Sequence, residues 1–317
     1  MEPQLAALAL SLIIFNLLLS TTTQNPSCQS TCGSLHLSYP FGSGPGCGSP
    51  TFQPYTTCTT TTKQLLLTTH TGSYPITSIS YSTNTLTLTP SSMSTCISMQ
   101  PSPSNLGLDW ASPFQLGPST FILLSCQPPT SSLTLKDSSI PICDPSYSHL
   151  CAAIYTCPSV TGIDLPLFPP TNTCCVYSPG NLDAKGELDL RGLKCKGYTS
   201  VVSLGDYPTD PNKWEYGVGL KYNHGGGLDG GIVETKCKSC EMSGGVCGYA
   251  TSDNSFLCVC ENGYYNTTSD CSSNNYSGVQ QLGDIWNSES GSGLPASSAW
   301  KTLFGLLALA DLIILAS

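Results

Sequence analysis

The chain has 317 residues, of which 10% are charged, and a formal net charge of −9. That length holds one large domain or two ordinary ones, and the negative balance argues against nucleic acid and other polyanions as general partners. Eighteen cysteines, an even number, mark a disulfide-bonded protein of an oxidising compartment.

The N-terminus carries an apolar stretch, Leu5–Leu19, followed by Ser20–Thr23. It is short for a membrane span of about 20 residues, so a signal peptide over residues 1–23 is expected, cleaved after Thr23.

Residues 24–128 read as a Cys-rich β domain holding Cys28, Cys32, Cys47, Cys58, Cys96 and Cys126. Between Cys28 and Cys58 a glycine- and proline-rich knot (Pro40, Gly42, Gly44, Pro45, Gly46, Gly48) sets turns and leaves cross-links to hold the segment. Tyr39, Phe41, Phe52 and Tyr55 surround it. Such aromatics either stack on the C–H faces of sugar rings or form the small core of the segment. Leu and Thr alternate over Thr85–Thr89, the period of a half-buried strand, with Ile76–Tyr81 as partner and Ser82–Asn84 as the turn. The apolar run Phe121–Cys126 reads as a buried strand.

A second Cys-rich domain is expected over 136–272. It opens with Cys143, Cys151, Cys157, Cys174, Cys175 and Cys195; the adjacent pair Cys174 and Cys175 should tie to different segments. Alternation over Glu215–Tyr222 predicts one half-buried strand, and a loop at Gly225–Gly231 leads to a second strand at Ile232–Val233. Cys237, Cys240, Cys247, Cys258, Cys260 and Cys271 complete a division into three groups of six. Arg191, Lys194 and Lys196 are the densest basic cluster and the best contacts for an acidic sugar.

Motifs with other meanings resolve against them. Gly225–Gly230 satisfies G-x-G-x-x-G, but a dinucleotide site needs a following helix, and a strand is expected there. The Cys237/Cys240 pair suits disulfides better than a redox couple or zinc site among four further cysteines. His36, His70, His149 and His224 have no sequence neighbour at ligand spacing, and no nucleophile motif occurs. Asp109 is the only acid between Cys28 and Cys126, so a carbohydrate-active hydrolase is the weakest alternative. No catalytic residue, metal site or resident cofactor is expected; calcium bridging carboxylates on both partners is the one route that adds an ion.

Asn266 and Asn275 head N-glycosylation sequons. After a linker at 273–290, small residues Ser290, Gly291 and Ser292 precede a spacer and the apolar tail Leu303–Leu315, interrupted by Asp311. The tail makes about 20 Å of helix against a hydrocarbon core of about 30 Å. That order predicts a glycosylphosphatidylinositol anchor at Ser290, with 291–317 as the discarded propeptide.

The motif C-x3-C-G at Cys28, S-Y-P-F-G at Ser38–Gly42, and G-C-G-x-P-x-F at Gly46–Phe52 resembles the galacturonan-binding domain of plant wall-associated receptor kinases. K-C-K-S-C-E-M-S-G-G-V-C-G from Lys236 looks like the C-terminal associated domain of the same kinases, and C-x-C-x2-G-Y from Cys258 to Tyr264 resembles the end of an EGF-like module over 237–271. The EGF likeness implies the bonds Cys237–Cys247, Cys240–Cys258 and Cys260–Cys271. The family likeness implies a non-catalytic, pectin-binding ectodomain at the outer face of the plasma membrane and the cell wall. These residues contain no Gly-rich kinase loop, H-R-D or D-F-G, so signalling is expected to pass through a partner receptor kinase. A co-receptor or ligand-sequestering role is the alternative reading. The expected fold is mostly β and disulfide-rich, in two small extracellular Cys-rich domains.

Overall fold

The alternation at Thr85–Leu88 becomes a strand whose leucines are buried and whose threonines are half-exposed. A computed structural model describes residues 28–136, 138–223, 230–260, 264–266, 270–271 and 280–281. The signal peptide, His224, Asn275, most of the 273–290 linker and the anchor region with Ser290 lie outside the described residues.

The largest sheet has six strands, in the order Thr56–Cys58, Leu65–Thr69, Gly72–Ser80, Thr85–Leu88, Val218–Tyr222 and Phe114–Leu116, all antiparallel. The Ser82–Asn84 turn sits where the sequence puts it, with Asn84 in the left-handed region at φ 53°. A second sheet orders Cys175–Tyr177, Thr120–Cys126, Cys195–Ser203 and Glu215–Tyr216. Its centre is the apolar run 121–124, buried because strands flank it on both sides.

The described residues from Cys28 to Cys260 fall in one compact unit; Tyr264–Tyr265 and Gln280–Gln281 belong to another, where they pair antiparallel. Within the first unit the stretches on either side of residues 128–136 share both large sheets. Cys96–Cys157 and Cys126–Cys195 also cross from one to the other. The expected boundary therefore separates stretches of sequence, not separate folded bodies.

All eighteen cysteines are paired. Cys28–Cys47 and Cys32–Cys58 close the opening segment. Cys174 and Cys175 bond to Cys151 and Cys143, different segments as expected. The last six pair as Cys237–Cys247, Cys240–Cys258 and Cys260–Cys271, the pairing implied by the EGF likeness. With partners elsewhere, Cys237 and Cys240 are no redox couple, and the close thiol group Cys240, Cys258 and Cys271 is disulfide, not a metal site.

Two local expectations are corrected. Glu215–Tyr222 is not one strand: Glu215–Tyr216 joins the smaller sheet and Val218–Tyr222 the larger. Gly217 makes the switch at φ 159°, pressed so close that an added Cβ would lie 2.3 Å from Thr87 Cγ2. Ile232–Val233 is not a strand but part of a helix, α1, over Gly230–Met242. Half-buried Val233 and buried Cys237 and Cys240 recur at helical spacing on one face, and both disulfides pull that face onto the Val246–Tyr249 and Phe256–Val259 hairpin. A helix thus does follow the G-x-G-x-x-G glycines, but the strand before them lies in an antiparallel sheet, outside any βαβ unit.

Candidate functional site

The glycine knot is a structural clasp. Gly42 and Gly48 face each other so tightly that a Cβ on Gly42 would meet Cys47 O at 2.2 Å and one on Gly48 would meet Phe41 C at 2.6 Å. The backbone approach serves the chain itself. Gly48 N–H donates to Cys247 O (2.8 Å) and Tyr249 N–H to Gly46 O (2.9 Å), joining the knot to the C-terminal hairpin.

Two aromatics nominated for sugar stacking are core instead. Phe41 and Phe52 are 2% and 1% exposed. Their rings meet edge to face at 5.4 Å and pack on Tyr222 at 5.1 and 5.9 Å. Tyr55 is half-buried against Phe114. Half-buried Tyr39 gives its backbone N–H to Glu241, and burial raises its phenol above the usual value.

The basic trio is exposed. Arg191 Nη2 is tied to Pro103 O at 2.9 Å, and Lys196 Nζ pairs with Asp164 Oδ2 at 2.9 Å. Lys194 takes a left-handed conformation, φ 55°, ahead of the Cys195–Ser203 strand. Their surface position leaves them reachable, but two of the three already meet protein oxygens.

A concave surface lies elsewhere. A groove of about 660 Å³ runs between the 138–145 and 177–184 segments, with Ile140, Pro141, Tyr177, Pro179, Asn181 and Ala184 among its lining. Apolar walls with a few amide and carboxyl groups suit a ligand that offers both C–H faces and hydroxyls. Burial raises the Tyr177 phenol, offset in part by the Asn181 backbone. At the groove edge, Asp144 accepts from Ser146 N–H and Oγ–H, which hold its carboxyl below the usual range.

At Ala184 the groove adjoins a polar corner built from three segments. The Asp183–Gly186 turn, with Gly186 at φ 79°, is locked by buried Asp183, whose Oδ1 accepts Lys185 and Glu187 N–H at 2.9 Å. Glu187–Leu188 pairs with Leu106–Gly107 and brings the turn beside Asp109 and Trp110. His70, on the turn before Gly72–Ser80, reaches Asp109 Oδ1 through Nδ1 (2.5 Å) and Glu187 Oε1 through Nε2 (3.4 Å). Asn105 Nδ2 donates to Glu187 Oε2 at 2.8 Å. Trp110 is 66% exposed, its Nε1–H bonded to Ala184 O at 3.1 Å.

Sequence reading missed this corner. His70 is 39 residues from Asp109 in the chain, and only the fold brings them together. The isolation of Asp109 in an otherwise acid-free stretch was the available signal.

Comparison with known proteins agrees with the sequence motifs. The family described as wall-associated receptor kinase galacturonan-binding matches residues 28–90. The family described as wall-associated receptor kinase C-terminal matches residues 217–263. Both are non-catalytic modules. A protein of Arabidopsis thaliana named wall-associated receptor kinase-like 20 is 28% identical over 196 residues, covering 60% of this chain. The chain spans about a quarter of that relative's length, 27%. No solved structure matches. The chain carries the galacturonan-binding domain and the C-terminal associated domain of wall-associated receptor kinases, and is homologous to the ectodomain of a plant kinase of that type.

Proposed function

We propose that this protein is a non-catalytic extracellular binder of pectic polysaccharide at the plant cell surface. The galacturonan-binding match over residues 28–90 is the observation that carries the reading, and the groove beside Trp110 supplies a concave surface of fitting chemistry. In this reading the signal peptide delivers the chain to the secretory route, Asn266 and Asn275 carry glycans, and a lipid anchor at Ser290 holds it at the membrane. A glycan array of wall polysaccharides probed with the purified protein tests it: signal confined to pectic fragments supports the reading, and silence on every pectic glycan overturns it. The likeness to a receptor kinase-like protein supports a second reading, a co-receptor that presents or sequesters the glycan for a partner kinase.

A further inference from the structure

We infer that Trp110 and the His70–Asp109–Glu187 corner form the subsite that selects an uncharged pyranose, a methyl-esterified uronate or a neutral hexose, over a free uronate. This inference rests on the polysaccharide-binding reading and names the sugar chemistry at its site.

An exposed aromatic by itself says little. Trp110 differs in being held. Its Nε1–H is fixed to Ala184 O, and the same edge of the indole lies over Gly186, where an added Cβ would sit 3.2 Å from Nε1. The ring is pinned along one edge while most of its surface stays open. That is the geometry of a stacking platform for the apolar face of a sugar, with the ordering already done before ligand arrives.

Hydroxyl acceptors stand beside it. His70 meets Asp109 only at Oδ1, through its backbone N–H, which donates at 3.3 Å, and through Nδ1, so Oδ2 accepts nothing among the described residues. The carboxylates are partly open, with the Asp109 and Glu187 side chains 29% and 21% exposed. His70 and Asn105 fix both, so a sugar hydroxyl meets a preset acceptor.

Charge decides which sugar. The partly open carboxylates of Asp109 and Glu187 lie in this corner, bridged by His70; Asp183 lies buried in the adjoining turn, which also carries exposed Lys185. A uronate carboxylate meets like charge here; its methyl ester does not. The chain's net charge of −9 acts in the same direction.

Calorimetry of the purified protein with methyl-esterified oligogalacturonides, de-esterified oligogalacturonides and neutral galactan oligosaccharides tests this. Trp110→Ala should weaken binding of the uncharged ligands at least about tenfold, Trp110→Phe should retain most of it, and Asp109→Asn should weaken it while narrowing the preference against the free uronate. Circular dichroism and thermal melting check that each variant is folded. If Trp110→Ala is misfolded, Trp110→Phe with Asp109→Asn decides. Wild-type affinity in folded Trp110→Ala overturns the subsite while leaving pectin binding intact. Tighter binding of the free uronate than of its ester, without calcium, overturns the charge selection. Absence of wild-type binding to every pectic ligand overturns the polysaccharide reading and this one with it.

Discussion

The backbone N–H of Tyr39 donates to Oε1 of Glu241 at 2.7 Å, a bond spanning 202 residues. It ties the opening knot to α1, so the first and last Cys-rich modules meet through a half-buried carboxylate. Burial raises the Glu241 carboxyl above its usual 4.5, and the bond from Tyr39 only partly opposes that.

A raised folded pKa means that the folded state holds the Glu241 proton more tightly than the unfolded state does. Its stabilising contribution is complete below pH 4.5 and is lost as pH rises through the folded value. Glu241→Gln keeps an acceptor for Tyr39 and removes the charge. Thermal melting across pH 4.5–7 should show the variant with a flatter profile and, at neutral pH, a midpoint no lower than wild type. An unchanged profile would contradict the assignment.

Cys126 and Cys195 lie opposite each other in the second sheet and close a loop with a sequence separation of 69. Replacing both with Ala should cost about 4 kcal/mol of stability by the chain-entropy argument, measured by denaturant titration. The intact protein, denatured without reductant, should take up no thiol-alkylating reagent by mass. One fully occupied pair of labels would show a bond missing.

Phe52→Ala should destabilise the fold by about 3–5 kcal/mol, because the ring fills an aromatic cluster with Phe41, Phe114 and Tyr222. Any lost glycan binding should track the unfolded fraction. A folded Phe52→Ala protein with binding selectively abolished would return the knot to the role of a sugar platform.

Lys196 and Asp164 form an exposed pair, worth no more than about 1 kcal/mol. Lys196→Ala should melt within a few degrees of wild type and bind uncharged pectic fragments normally. A loss of that binding, compared by calorimetry at low and moderate salt, would restore the basic trio as the contact surface.

Local pattern carried the strands well. The alternation at Thr85–Leu88 and the apolar run at Phe121–Leu124 depend on side-chain period and burial, which sequence states directly. The Glu215–Tyr222 alternation was equally clear, yet the break at Gly217 depends on Thr87 and Leu88 lying against it. The β-branched pair Ile232–Val233 favours a strand by local preference, and the two disulfides that draw the helix face onto the hairpin override it. His70, Asp109 and Glu187 share no local pattern, and their meeting depends on the Leu106–Gly107 and Glu187–Leu188 pairing.

The most direct measurement is titration of the purified protein with oligogalacturonides of graded methyl esterification, with calcium and with chelator. The account predicts affinity that rises with esterification, and binding of the fully de-esterified form that is weak and abolished by chelator. Tight, chelator-insensitive binding to the fully de-esterified form would contradict it.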